Sequence, residues 1–439
     1  MPSLQTSYAP SFRPSYKVSN HPSLVSSSQP STDFLTSKPS TGPSLSHTTA
    51  PSIEPSAGPS SQPSFIEVTY QPGNLTLFAL NISLSRGLKV RTLARKNERV
   101  KFSNGVASSI LFHERPDAGA TFPLSDGGWI YVSNSERNET GKGGVGALRF
   151  NKLGHVLAYN MILTGTTMNC GGGRTPWGTW ISCEEVAANG RAYQVDVQGR
   201  RPSVPIAMGR GRFESFSYDI RNKRSPRFFL TEDHPRGPVR RFTPFLANWS
   251  NPWTILHTNG TLEYLLLEFE TGTFSWTSNI SLGKASAEKF YPECEGIDVN
   301  DGVLYLVSKK LKQLFILDLD AGRYTNVTTQ QGLFDGQPDQ VISINDDEDD
   351  SILYFTEEGG KLQGVHGRNS KGQFFTVLEG KYSDETTGLA FSPNGMFMYF
   401  AFQKTGLLLE VRREDGMPFR GRSLNINFHN LAIAASRRI

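Results

Sequence analysis

The chain has only three cysteines in 439 residues. That is too few for a disulfide framework, so an exported chain needs some other use for at least one thiol. No stretch approaches the ~18 consecutive apolar residues that would cross a bilayer, and no apolar segment precedes the first prolines as a signal peptide would. Neither sign of charge dominates, with 45 Lys and Arg against 41 Asp and Glu. Without a basic stripe interleaved with aromatics, nucleic-acid binding finds no support. The histidines are few, and His113, His155, His234, His257 and His366 share no metal-ligand spacing. His234, after Glu232 and Asp233, is the one that stands at a strand end. The acidic run Asp346 to Asp350 lacks the glycine and spacing of a dedicated calcium loop and reads as a solvated turn.

Residues 1–64 carry Pro-Ser at Pro2, Pro10, Pro14, Pro22, Pro30, Pro39, Pro43, Pro51, Pro55, Pro59 and Pro63, spaced by four or its multiples with one slip. Almost no aliphatic residues accompany them, so ordering this segment would bury too little surface to offset its entropy. It reads as a disordered Pro-Ser stalk, of a composition that is often O-glycosylated and suited to cell-wall or surface attachment, or else as an inert tail. Asn74, Asn81, Asn138, Asn248, Asn259, Asn279 and Asn326 each begin an N-glycosylation sequon. The sequons point to an extracellular or cell-surface glycoprotein; with no leader visible before the stalk, either the true start lies upstream of this sequence or export is unconventional.

The remainder, residues 65–439, is rich in glycine and aromatics and short of long apolar runs, which favours short strands and tight turns. One pattern recurs, an apolar-aromatic strand that ends in a small residue and then polar or acidic ones. Aligning Tyr131, Trp180, Phe229, Tyr305, Tyr354 and Tyr399 gives separations of 49, 49, 76, 49 and 45. Such a period predicts an all-β chain folded as a β-propeller. The long interval, with strand-like text at Leu262 to Phe269 and Thr273 to Leu282, is either an insertion in one blade or a seventh blade.

A second register accompanies the first. Between 10 and 15 residues before each aligned aromatic stands Asp117, Cys170, Glu214, Glu295, Asp339 or Glu385. Each opens a strand, and in a propeller the first strand of every blade lies nearest the axis, so these six converge on one mouth of the channel. An acid beside glycine commonly serves a turn. Six in one register would instead repel one another in a low-dielectric setting, which implies bound cations or raised pKa values.

The most informative segment is Asn169 to Glu185, NCGGGRTPWGTWISCEE. Cys170, Cys183, Glu184 and Glu185 offer soft and hard donors beside a glycine run that lets backbone approach closely. That mixture suits a transition metal next to a harder cation. Cys183 is the less favoured thiol, because a cysteine within a strand is usually packed.

With its Cys-Gly-Gly, Thr-Pro-Trp-Gly-Thr and Cys-Glu-Glu elements, this segment resembles the PhoX-type alkaline phosphatases and their eukaryotic relatives. Gly211-Arg212-Phe213-Glu214, Thr231-Glu232-Asp233, Arg241-Phe242-Thr243-Pro244, Glu295-Gly296 and Glu385-Thr386-Thr387-Gly388 extend the resemblance over most of residues 100–412. It implies a six-bladed propeller that hydrolyses phosphate monoesters at a cluster of Ca2+ and Fe3+ in the channel mouth. It also implies Cys170 as the iron-bridging thiolate, Glu214 and Glu295 as iron or calcium ligands, and Glu385 as a calcium ligand. Asp117, Asp339, Glu184 and Glu185 complete the expected donor set.

Two places depart from the family. An arginine that contacts phosphate, two residues before the metal-binding Glu295, is here Glu293, and a His-Gly near the last motif reads Lys404-Thr405-Gly406. A carboxylate repels the anion a guanidinium would clamp. The positive charge is expected from Lys309, Lys310, Arg174 or Arg212. Three readings follow: a metal-dependent phosphatase, a non-catalytic calcium-stabilised adhesion or wall module, and a calcium-dependent propeller lactonase or esterase. Cys170 favours the first, since calcium alone has no use for a thiolate.

Overall fold

The computed structural model describes residues 75–419 apart from 78 and 345–350. The Pro-Ser stalk expected over 1–64, the acidic run at Asp346 to Asp350 and the sequon at Asn74 lie outside the described residues.

Six blades of antiparallel strands, the third and fourth of them joined in one nine-stranded sheet, are arranged round a central channel. Their inner strands are Pro116–Pro123, Asn169–Arg174, Phe213–Asp219, Cys294–Asn300, Gln337–Ile344 and Thr386–Phe391. Each inner strand contacts the next, and the last contacts the first, so the ring is closed. Residues from all six line a channel cavity of about 380 Å³. The third and fourth blades are joined at their outer edges through the single pair Thr273 and Arg323.

The six aligned aromatics all lie on the second strand of their blades: Trp129–Ser135, Trp180–Glu184, Arg227–Glu232, Val303–Ser308, Ile352–Glu358 and Met398–Phe402. Five are buried, and the sixth, Tyr305, is half-buried. Their large apolar area fills the wedges between blades. Tyr131 packs on Tyr399 at 5.2 Å between ring centres, and its hydroxyl donates to Gly388 O at 2.7 Å, tying the first blade to the sixth.

The long interval is an insertion, not a seventh blade. After its fourth strand, Gly260–Glu268, the third blade adds a short strand, Thr273–Thr277, and the helix Ile280–Phe290. The strand-like text therefore ends before Leu282. The Asn279 side chain accepts from Ser281 N at 2.9 Å and caps a helix there.

The sixth blade takes its outermost strand from near the start of the described residues. Leu88–Arg95 pairs along Leu407–Arg413, and Arg91 donates to both oxygens of Glu410 at 2.7 Å. Among the described residues no helix is long and apolar enough to cross a membrane.

Candidate metal centre at the channel mouth

Every inner strand is irregular near its beginning. The pairing register shifts between Pro116 and Gly119, Asn169 and Gly172, Phe213 and Phe216, Cys294 and Ile297, Pro338 and Val341, and Thr387 and Ala390. Asp117, Cys170, Glu214, Glu295 and Asp339 lie within these bulges, and Glu385 immediately precedes the sixth strand. A bulge leaves one residue outside the ladder and re-aims its side chain, which frees the donors to gather at one mouth. Gly171 makes the close approach possible, since a Cβ there would stand 2.1 Å from Glu214 O.

The donors form three groups in which candidate ligand atoms lie within 4.8 Å of one another: Glu214, Glu295 and Asp339; Asp117, Glu136 and Glu385; and Glu136, Cys170 and Glu185. Glu214 is 1% exposed, and neither of its carboxylate oxygens has a hydrogen-bond partner. Asp117 accepts from Thr387 Oγ1 at 2.6 Å and Gln403 Nε2 at 2.8 Å. Asp339 accepts from Thr356 Oγ1 at 3.0 Å. Asn134 donates to Cys170 O and Gly171 O and accepts from Trp180 Nε1 and Ser182 Oγ, which fixes the backbone that carries the thiol.

Crowding of like charges in a buried place pushes the acids upward. Burial, then Glu295, holds Glu214 well above the usual carboxylate range. Burial and Asp233 do the same to Glu295; burial and Asp117 do it to Asp339 and Glu385. Glu185 is pushed up to about 8, by burial first and Asp233 second. Burial and Asp117 raise the Cys170 thiol. The two all-carboxylate groups fit calcium, and the group containing Cys170 fits a softer transition metal. An unpartnered buried carboxylate such as Glu214 is costly unless paired or bound to a metal.

Three basic side chains edge the acids. Arg115 lies 2.5 Å from Glu136. Arg212 lies 2.5 Å from Glu185 and 3.8 Å from Asp233. Lys309 lies 2.6 Å from Glu295, 2.7 Å from Asp233 and 3.6 Å from Glu358. Arg115, Arg212 and Glu293 hold the same place in three blades, two residues before Asp117, Glu214 and Glu295. Arg115 and Glu293 have φ of 47° and 53°, the left-handed region that side chains seldom adopt.

Four expected residues are not brought into these groups. Glu184 accepts from the backbone N–H groups of Thr167 at 3.0 Å and Arg191 at 3.1 Å, the work of a turn-holding acid. Cys183 is fully buried among Ile181, Ala192 and Phe213. Arg174 ends the strand that Cys170 helps to open; at ~3.3 Å per residue it stands ~13 Å away, towards the opposite mouth. Lys310 is exposed in a turn and has no ion pair among the described residues. His234 also serves a turn, accepting from Arg236 N at 3.0 Å.

Glu136, Asp233, Glu358 and Arg115 were not anticipated. A signal for the three acids lay in the aromatic register, because Asp233 and Glu358 are the fourth residues after Phe229 and Tyr354, and Glu136 is the fifth after Tyr131.

The alkaline phosphatase PhoX family model matches residues 127–202, the segment that carries Cys170 and Glu185. The solved structure of Pseudomonas fluorescens PhoX in complex with vanadate, a transition state analogue, aligns over 80% of this chain and 98% of its own, with a TM-score of 0.60 and 14% identity. A gluconolactonase from Xanthomonas campestris aligns over 79% of this chain and 97% of its own, with a TM-score of 0.43 and 12% identity. No curated protein sequence matches the chain. At these identities the structural likeness is one of fold.

Proposed function

We propose that this chain, similar to the PhoX alkaline phosphatases in residues 127–202 and in fold, is an exported, metal-dependent phosphatase that hydrolyses phosphate monoesters at the channel mouth. The observation that carries the reading is Glu214, buried with both oxygens unpartnered beside Glu295 and Asp339. In this reading Glu214, Glu295 and Asp339 hold one Ca2+, Asp117, Glu136 and Glu385 hold another, and Cys170 with Glu136 and Glu185 holds Fe3+. When bound, such cations supply positive charge to the phosphoryl oxygens and Lewis-acid activation.

The chain's own part is orientation. The Arg212 side chain is 37% exposed, so its guanidinium can exchange part of its contact with Glu185 for a phosphoryl oxygen. Lys309 reaches the same space from the next blade, and Arg115 reaches it from the first. Basic groups at these places stand in for the arginine that Glu293 replaces, and preorganised charge of this kind favours the transition state more than the ground state. The deep ring of carboxylates, unless neutralised, would exclude a phosphate dianion.

The six described sequon asparagines, Asn81, Asn138, Asn248, Asn259, Asn279 and Asn326, are all exposed, which supports an exported, glycosylated protein. The Pro-Ser segment would then act as a tether to the wall or cell surface. One observation favours a second reading, a calcium-stabilised module without catalysis: Glu293 places a carboxylate at the edge where the family has an arginine.

The deciding experiment combines elemental analysis of the protein isolated without chelator with hydrolysis of p-nitrophenyl phosphate. Iron with calcium and turnover is expected. Arg212→Met and Lys309→Met should each lower kcat/KM by about 10- to 1,000-fold. Calcium alone with no turnover would replace the phosphatase with the binding module.

A further inference from the structure

Away from the metal centre, the first three blades enclose a cleft of about 610 Å³ on the face of the propeller where the inner strands end. Its lining includes Arg174, Trp177, Arg200, Arg201, Tyr218 and Trp253. The Arg174 guanidinium lies over the Phe122 ring at 5.6 Å, and that of Arg201 over the Trp253 ring at 5.4 Å. Both arginines are exposed, and neither has an ion-pair partner among the described residues. Arg200, also exposed, approaches Asp196 only at 3.7 Å. The cleft thus carries three guanidinium groups against one carboxylate.

The arginines of the metal mouth are different, since Arg115 and Arg212 are each held by carboxylates. A guanidinium stacked on an aromatic ring has its orientation set, while its N–H edges stay free for a planar or tetrahedral anion. Trp177 is fixed edge-on by Phe228 and Trp249, at 5.9 and 6.3 Å between ring centres. Rigid aromatic walls with a few oriented polar groups are the usual make-up of a ligand cleft.

We propose that this cleft binds an anionic polysaccharide, a chain of sugars bearing carboxylate or sulfate groups. Sugar rings offer an apolar face to Trp177, Trp253 and Tyr218, their hydroxyls meet the side chains of Ser250 and Asn251, and their anionic groups pair with Arg174 and Arg201. Charge complementarity selects a polyanion. A nucleic acid needs phosphate contacts along a longer track than three guanidinium groups supply. The inner strand from Cys170 to Arg174 separates the two sites, so a protein held on such a polymer keeps its metal mouth open. The inference rests on the exported location proposed above and is independent of the phosphatase chemistry.

The test uses the full chain in affinity electrophoresis through gels containing a polyuronate, a sulfated glucan or neutral dextran, at about 0.1 M salt so that weak long-range attraction is screened. Retardation by at least one anionic polymer and none by dextran is expected, and the two anionic gels distinguish carboxylate from sulfate. Arg174→Ser with Arg201→Ser should weaken retardation at least tenfold while metal content and p-nitrophenyl phosphate turnover stay unchanged. Arg174→Lys with Arg201→Lys, which keeps the charge and removes the planar fork, should fall between. No retardation in either anionic gel overturns the site, as does retardation that the serine variant retains, or release by a mononucleotide at lower concentration than by uronate or sulfated oligosaccharides. Each readout is independent of turnover, so failure of the cleft and failure of the phosphatase reading are told apart.

Discussion

Lys309 and Glu358 are equivalent residues, each the fourth after the aligned tyrosine of its blade, and their charged groups meet at 3.6 Å. Asp233, equivalent to both in the preceding blade, lies 2.7 Å from the same ammonium. The propeller repeat therefore lays acid, base and acid side by side at the mouth. Lys309 is held charged well beyond its ordinary range by Glu295 and Asp233, which outweigh the cost of burial.

Stability without metal should fall as the pH rises. An acid whose folded pKa lies above its unfolded value is still protonated in the native state when the unfolded chain has ionised. The unfolded state then binds fewer protons, and unfolding becomes easier with increasing pH. Glu185, pushed up to about 8 from an ordinary 4.5, sets the window, while Lys309 stays charged throughout it. Thermal melts in a strong chelator should show a midpoint that declines from pH 5 to pH 8. Added calcium should restore most at the alkaline end; a flat profile would count against the crowded ring.

Glu214→Gln should change sign with metal. In chelator the variant replaces a buried acid that must hold a proton to stay folded with an amide that is neutral in both states, and it should gain roughly 1–3 kcal/mol near neutral pH relative to the wild type. With calcium the wild type should be the more stable of the two, because ligand binding to the native state adds to its stability. Paired melts with and without calcium give the comparison. A variant less stable under both conditions would make Glu214 a packing residue.

Glu293→Arg should raise kcat/KM towards p-nitrophenyl phosphate, by removing a carboxylate and supplying a planar bidentate donor. If the wild type is inactive and the variant gains turnover, the natural protein is a binding descendant of an enzyme. Equal and measurable activity in both would move the phosphate away from this edge.

The exposed sequons give a direct check on export. Treatment of the native protein with a glycan-releasing amidase, which hydrolyses the glycosylated Asn amide to Asp, followed by peptide mapping should find Asp at several of Asn81, Asn138, Asn248, Asn259, Asn279 and Asn326. No converted site on protein from its native source would overturn the proposed location.

Much of the fold was legible because a propeller repeats itself locally. Tyr131, Trp180, Phe229, Tyr305, Tyr354 and Tyr399 share one position because each fills the same wedge between blades, and the donors share another because each begins an inner strand. The third blade broke the period, since Thr273–Thr277 and the helix after it are additions with no counterpart in other blades. Glu184 and Glu185 adjoin in sequence, yet only Glu185 joins the donor groups at the mouth. Arg174 and Cys170 are close in sequence but separated in space, because a strand only six residues long crosses from one mouth towards the other. The pairs Arg115 with Glu136 and Arg212 with Glu185 join residues that flank different strands, so the sequence does not show which acid each arginine meets.

Removal of residues 1–64 should leave the melting midpoint unchanged, whereas removal through Lys96 should prevent cooperative folding. The second truncation deletes Leu88–Arg95 and bares the backbone edge of Leu407–Arg413. Two melts decide it, and a stable fold in the shorter chain would mean that the sixth blade stands without its outer strand.

The same strand pairing imposes an order in time. Arg91 and Glu410 are 319 positions apart, so during synthesis the early segment must wait, unpaired, for nearly the entire propeller to emerge. Until then the nascent chain presents an unfinished sheet to the cell, and ring closure joins contacts of the longest sequence separation, which are slow to form. A ribosome that stalls before Glu410 would therefore release five blades and two sticky ends, a species for chaperones and proteases.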